Sequence, residues 1–163
     1  MILTPHLLLG AAIASKIEYA PLAIILAFLS HYLLDLIPHI EYSIDNIEKR
    51  HWQKSSPDIL RVFLDFSFGI LLILIFSNPP AGGQPIIFIC AFFAILPDGL
   101  DLLNYSFPNK ILKTHSNIHQ KKIHFLKHKK TRALNSLSAL ISIPFRITSQ
   151  LLIILFSIFL LKY

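Results

Sequence analysis

The sequence predicts an all-α integral membrane protein, a helical bundle with four to five membrane helices in one membrane-embedded domain over residues 1–163. Three observations predict this architecture. Hydrophobic residues make up 54% of the chain. The mean hydropathy is +0.61, which exceeds that of an ordinary soluble domain. The apolar residues form long runs, and most Lys and Arg residues lie in the polar stretches between them.

The first apolar run, residues 1–15, predicts a short helix. Thr4 is placed to act as its N-cap and Pro5 to occupy the first helical position. The run is shorter than the ~20 residues that a helix needs to cross the hydrocarbon region. A cleaved signal peptide is the alternative, because Ala12-Ile13-Ala14 resembles a cleavage site. No Lys or Arg precedes the run, which disfavours that alternative.

Four longer apolar runs predict the membrane helices: residues 21–37, 59–77, 85–103 and 137–161. An uncharged turn with Pro79-Pro80 and Gly82-Gly83 predicts a helical hairpin between the second and third of these runs. Stretches 41–58 and 104–136 hold the basic residues, so the positive-inside rule predicts that both are cytoplasmic loops. The expected location is therefore a bacterial-type inner (cytoplasmic) membrane, crossed several times.

The charge balance indicates contact with membrane lipid. The chain has 15 Lys and Arg against 9 Asp and Glu. Because the basic residues lie next to apolar runs, they favour anionic phospholipid over any specific nucleic acid as the partner. The single Cys90 excludes a disulfide framework and a thiolate zinc site within one chain.

The stretch from Ser30 to His39 carries the first candidate metal ligands. His31, Asp35 and His39 are spaced i, i+4 and i+8, which places them on one face of a helix. Pro38 is expected to end that helix, so helical spacing does not determine the direction of His39. The alternative for His31 and Asp35 is a hydrogen bond between two buried polar groups.

The predicted topology brings further ionisable residues to the same membrane boundary. Asp65, Asp98 and Asp101 lie at the cytoplasmic ends of their helices, and His6 joins them if the N-terminus is cytoplasmic. Ionisable residues within a bilayer cost roughly 2.5–3.5 kcal/mol each, so they persist when paired or functional. A His and carboxylate cluster suits zinc or another divalent ion that activates water. The alternatives are an ion pair of Arg61 with Asp65 and a helix-end role for Asp98.

Four blocks of the chain are similar to motifs of one family. Ser30 to Asp35 matches its Ser-His-x-x-x-Asp motif, and Leu96 to Asp98 matches its Leu-Pro-Asp motif. Pro5-His6 precedes a small-residue helix, and His119 and His124 have the spacing of its paired histidines. The chain resembles the bacterial inner-membrane metal-dependent hydrolase family of the YdjM type, which is grouped with zinc-dependent phospholipase C and P1-type nucleases. It differs in the order of the blocks and in the second Asp, which stands at +3.

The resemblance implies a divalent metal, with zinc as the first choice. The implied metal ligands are drawn from His6, His31, Asp35, Asp98, His119 and His124. Asp65 or Asp101 would serve as a further ligand or as general base. The remaining loop histidines, His115 and His128, are expected on a solvated basic face.

The expected function is metal-dependent hydrolysis of a phosphoester near the lipid headgroup, at the cytoplasmic boundary of the membrane. The competing function is non-enzymatic: an ion or proton transporter, or an assembly factor, with a structural His/Asp cluster. Transporters place polar residues near mid-bilayer at broken helices. The polar residues here are predicted at one boundary, which favours the hydrolase.

Overall fold

The computed structural model describes residues 2–78, 84–120 and 136–163, and within them the chain is helical without any strand. The predicted all-α class is therefore confirmed. The helices are α1 Leu3–Lys16, α2 Ala20–Asp35, α3 Asp45–Glu48, α4 Ser56–Phe76, α5 Gln84–Ser106, α6 Lys110–Ile118 and α7 Ser136–Lys162, with a short 3-10 turn at Trp52–Lys54. The predicted turn at Pro79-Pro80 and Gly82-Gly83 lies outside the described residues.

Three of these helices are long and apolar enough to cross a membrane: α4, α5 and the Ile143–Lys162 part of α7. Their outer faces carry large apolar side chains such as Leu71, Leu74 and Phe159, each more than half exposed. Such a surface suits lipid. Helices α1 and α2 have 14 and 16 residues, so the count of four to five membrane helices stays a prediction.

Helix α1 lies at the centre of the bundle, where it contacts α2, α4, α5 and α7. Nine of its 14 residues are buried. Gly10 allows the closest approach, since a Cβ atom there would lie 2.6 Å from both the Ala94 Cβ and the Cys90 carbonyl oxygen. Small residues let helix backbones approach closely in membrane bundles. The central position explains how so short a helix can be apolar on most of its faces.

The N-terminus of α1 is capped by a residue from α4, which corrects the sequence prediction. The helix begins at Leu3, and Thr4 is not its N-cap. The main-chain N–H groups of Leu3 and Thr4 donate to the Asp65 carboxylate, and the Thr4 hydroxyl donates to Asp65 Oδ1 at 2.6 Å. Asp65 thus satisfies N–H groups that have no partner within the helix.

The structure corrects one further prediction and rules out one of the alternatives. Stretch 104–136 was predicted to be a loop, but it contains the end of α5 and all of α6. The Asn109 side chain accepts from the Leu112 N–H at 2.9 Å and so caps α6. Arg61 does not pair with Asp65; its guanidinium lies 3.2 Å from Asp58 Oδ1.

Candidate metal centre

Three helices bring four ionisable side chains together. Helix α2 supplies His31 and Asp35 from adjacent turns, α5 supplies Asp98, and His119 follows the last residue of α6. One ligand atom from each lies within 4.8 Å of the other three. We call these four residues the ligand group. All four were among the predicted ligands.

The shortest distances in the ligand group form a triangle. The His31 Nε2 atom lies 3.0 Å from Asp35 Oδ2 and 3.1 Å from His119 Nε2. The His119 Nε2 atom lies 2.9 Å from Asp35 Oδ2. Three ligands bonded at ~2.0–2.1 Å in a tetrahedral zinc site would be about 3.3 Å apart, so the spacing fits one small ion.

In each imidazole, the hydrogen bond made by Nδ1 determines whether Nε2 has a free lone pair. The His31 Nδ1 atom lies 2.7 Å from the Ala94 carbonyl oxygen, and the His119 Nδ1 atom lies 2.9 Å from Asp101 Oδ2. Both oxygens only accept, so both Nδ1 atoms carry the proton and donate it. The neutral rings therefore direct two Nε2 lone pairs toward each other and toward Asp35. Such an arrangement is repulsive unless a cation or a proton lies between the atoms.

Asp98 differs from the other three members. Its Oδ1 atom lies 3.6 Å from His31 Nε2, and its side chain is 27% exposed, whereas those of His31, Asp35 and His119 are fully buried. Helix α5 continues through Pro97 and reaches Ser106, so Asp98 is a helical residue and not a helix end. Asp98 therefore marks the side of the ligand group that is accessible from outside the protein.

His6 contacts the ligand group from the central helix. Its ring stacks on that of His31 with centroids 4.2 Å apart, and its Nε2 atom lies 3.4 Å from Asp35 Oδ1. The side chain is fully buried, and neither ring nitrogen has a hydrogen-bond partner within the described residues. Buried nitrogens of this kind are costly unless a ligand or ion satisfies them.

A second layer of side chains supports His119. Asp101 accepts from His119 and also from the Gln120 amide at 2.7 Å. His115 Nδ1 lies 3.4 Å from Asp101 Oδ1, and its Nε2 atom contacts the Tyr32 hydroxyl at 3.1 Å. His115 was expected on a solvated face, which is wrong because the side chain is only 18% exposed. The i, i+4 spacing of His115 and His119 was the sequence feature that could have placed both residues on one helix face.

The pKa values of these two histidines move in opposite directions. Burial lowers the pKa of His119, but hydrogen bonds to Asp101 and Asp35 outweigh burial and raise it to about 9. Burial lowers the pKa of His115, and the attraction of Asp101 does not fully offset that effect. In a protein without bound metal, a proton on His119 Nε2 therefore competes with any ion for the same lone pair.

The remaining predicted site residues lie elsewhere. The ring of His39 contacts the Ile37 carbonyl oxygen at 2.6 Å and Glu41 Oε1 at 2.8 Å, so it is turned away from the ligand group. Asp65 caps α1 and accepts from the Tyr42 hydroxyl at 3.2 Å. His124 lies outside the described residues.

A cavity of about 910 Å³ adjoins the accessible side of the ligand group. Asp35, Asp98 and Asp101 contribute to its wall. Helix α4 contributes four apolar side chains to the wall: Ile59, Val62, Phe63 and Phe66. The volume is that of a site for a small organic molecule.

Comparison of the chain with protein-family models, with curated proteins and with solved structures finds no match.

Proposed function

We propose that the protein is a membrane-bound, metal-dependent hydrolase that acts on a phosphoester near the lipid headgroup. One observation carries the proposal. The Nε2 atoms of His31 and His119 lie 3.1 Å apart, each 2.9–3.0 Å from the same Asp35 oxygen, and each ring has its proton on the opposite nitrogen. His31, Asp35 and His119 would hold a divalent cation, which would convert this repulsion into coordination.

Charge supports a divalent ion. The ligand group contains two carboxylates and two imidazoles, so its formal charge with neutral rings is −2. Asp35 is only 4% exposed, and an unpaired carboxylate at that depth is unfavourable. Imidazole and carboxylate ligands without thiolate suit zinc, and two histidines with one carboxylate are an established catalytic set.

The roles follow from geometry. His31, Asp35 and His119 would hold the ion, and Asp101 would orient His119. His6 would be a further ligand on the side of Asp35 Oδ1. An ion of this kind lowers the pKa of a bound water molecule and polarises a phosphoryl oxygen. Asp98, on the accessible side, would accept the proton of the attacking water.

Two further observations support the choice of substrate. The resemblance to metal-dependent membrane hydrolases rests on His31, Asp35 and Asp98, which lie together in the ligand group. Lys110 and Lys113 on α6 are near His119 in sequence and would attract anionic headgroups. A site at the cytoplasmic boundary of a bacterial inner membrane is part of this proposal.

The competing function is a non-enzymatic membrane protein with a structural His/Asp cluster. The observation in its favour is that a proton on His119 Nε2 also satisfies Asp35, at 2.9 Å. In that case no ion is needed for the cluster to be stable.

The deciding experiment measures metal and activity together. Detergent-purified wild type, His31→Ala and His51→Ala would be analysed for zinc by mass spectrometry and assayed on a phosphodiester lipid analogue. His51 is exposed and lies outside the ligand group, so it is the matched control. We expect about one zinc per chain and hydrolysis in wild type and in His51→Ala, with loss of both in His31→Ala. Wild type without stoichiometric metal, and without hydrolysis when zinc or manganese is added, would contradict the proposal.

A further inference from the structure

Arg146 is a cation in the cavity wall that has no carboxylate partner among the described residues. It belongs to the first part of the apolar Ile143–Lys162 segment of α7 and is the only Lys or Arg among the described residues that line the cavity. Its Nε atom is buried and has no hydrogen-bond partner within the described part of the chain. Of the described ion pairs, the one that involves an arginine belongs to Arg61. A partly buried guanidinium without an anion is unfavourable, because its buried nitrogen loses hydration without gaining a partner.

Six acidic residues line the cavity, Asp45 and Glu48 of α3 among them, and none of the described ion pairs joins one of them to Arg146. Asp35 and Asp98 belong to the ligand group, and Asp101 accepts from His119 and Gln120. Glu41 lies 2.8 Å from His39. The guanidinium therefore remains available to an incoming anion, and its planar fork of N–H donors matches a phosphoryl group.

The apolar part of the cavity wall continues onto the outer surface of the bundle. Ile59 and Phe63 line the cavity from α4, which is long and apolar enough to cross a membrane. Their side chains are 55% and 61% exposed, so the same residues face outward. An apolar chain in the surrounding lipid would meet an apolar path from the bilayer into the cavity, with little desolvation cost along it.

We propose that the cavity binds a membrane amphiphile with an anionic phosphoryl headgroup, that Arg146 binds the headgroup beside the ligand group, and that the α4 wall receives the apolar chain. The inference rests on the proposed hydrolase function, and it names the substrate class and a substrate-binding residue. A water-soluble phosphoester would leave the apolar wall without a role, whereas an uncharged lipid would leave Arg146 unpaired.

Trp52 provides a direct measurement of binding. It is the single tryptophan of the chain, it lines the cavity, and it is 49% exposed. Dodecylphosphonate is a suitable probe because its carbon–phosphorus bond is not a phosphoester. Inorganic phosphate tests the headgroup alone, and dodecanol tests the alkyl chain alone. Each compound would be titrated into the full-length protein in non-ionic detergent while Trp52 fluorescence is recorded.

We expect saturable binding of dodecylphosphonate in wild type, about tenfold or more tighter than that of inorganic phosphate or dodecanol. Arg146→Gln should weaken it about ten- to hundredfold, as expected for loss of charge-assisted hydrogen bonds. Arg146→Lys should recover part of the loss. Arg61→Gln is the matched control, because it removes one arginine that is already paired with Asp58 and does not line the cavity.

Two results would overturn the inference: Arg146→Gln binding dodecylphosphonate as wild type does, or inorganic phosphate binding as tightly as the amphiphile. Zinc content and circular dichroism of each variant would show that the fold and the ligand group are intact. The titration would be repeated after treatment with a chelator. Arg146-dependent binding in wild type that is purified without metal and gains no hydrolysis when zinc is added would reject the hydrolase while supporting the amphiphile site. Zinc-dependent hydrolysis that Arg146→Gln leaves unchanged, together with unchanged binding, would reject the site alone.

Discussion

The Nε2 atoms of His31 and His119 lie 3.1 Å apart although the two residues are 88 positions apart in the sequence. Each ring donates its Nδ1 proton to an acceptor behind it, the Ala94 carbonyl oxygen for His31 and the Asp101 carboxylate for His119. This relationship defines the site, because it leaves two lone pairs and a shared carboxylate oxygen that could hold a metal ion.

Asp35 and Asp98 should separate metal binding from hydrolysis. Asp35→Asn is expected to lower zinc affinity by at least a hundredfold, because Asp35 Oδ2 contacts both histidine Nε2 atoms. Asp98→Asn should retain zinc to within about tenfold and lose hydrolysis by roughly 10²–10⁴-fold, the usual range for general acid–base groups. Zinc titration and phosphodiester assays on both variants would measure this. Equal loss of zinc in both variants would instead make Asp98 a ligand of a closed site.

Asp101 should control zinc affinity without touching the ion. Asp101→Asn removes the carboxylate that accepts from His119 Nδ1 at 2.9 Å. We expect zinc affinity to fall about 10- to 100-fold, as for other groups that orient metal-binding histidines. Competition with a chelator of known affinity would measure the change. Asp45→Asn is the matched control, since Asp45 begins α3, outside the ligand group. An unchanged affinity in Asp101→Asn would show that His119 is held by packing alone.

Zinc affinity should rise with pH. The pKa of His119 is raised to about 9, so below that pH the ion must displace a proton from Nε2. The expected gain is about tenfold per pH unit between pH 6 and 8, with one proton released per ion. Calorimetry in buffers of different ionisation enthalpy would count the protons. A pH-independent affinity would exclude His119 as a ligand.

The raised pKa of His119 also predicts that chelator-treated protein becomes less stable to unfolding as the pH rises. A raised folded-state pKa means that protonated His119 stabilises the fold fully below its ordinary value of 6.5. That contribution is lost as the pH rises through about 9. The midpoint of thermal unfolding without metal should therefore fall over this range, and Asp101→Asn should reduce the fall.

Gly10 should be required for the contact between α1 and α5. A Cβ atom there would lie 2.6 Å from the Cys90 carbonyl oxygen, a main-chain atom that cannot move alone. We expect Gly10→Ala to destabilise the fold by about 1–3 kcal/mol. Gly99→Ala, where an added Cβ meets nothing within 4 Å, should be neutral or slightly stabilising. A thiol-reactive dye would report unfolding through Cys90, which is buried in the native fold. Equal stability of the two variants would contradict the close packing.

The helices and the pairing of His31 with Asp35 were predictable from sequence because both depend on local periodicity. A long apolar run forms a helix in the membrane, since its backbone polar groups must be satisfied within the segment. Residues at i and i+4 lie on one helix face whatever the rest of the chain does. The sequence also placed Asp98 near the boundary shared with His31, with a helix-end role as the alternative.

Tertiary structure decided which other side chains reached the ligand group. Helical period places a residue on a face, but it does not determine which way that face turns in the bundle. His115 and Asp101 therefore came to support His119, while Asp65 became the cap of α1 and His39 turned toward Glu41. Each outcome depends on a partner distant in sequence.

The sequence by itself determined the apolar helices, the excess of basic charge and the local His31–Asp35 pair, because each is set by composition or by spacing within one turn. The tertiary structure alone decided that α1, with its 14 residues, lies at the centre and that Arg146 lines the same cavity as Asp98. The physical reason is that an apolar helix can bury its surface against lipid or against protein at similar free energy. Close contacts such as that of Gly10 with Ala94, between residues far apart in the chain, select one packing among the possible arrangements.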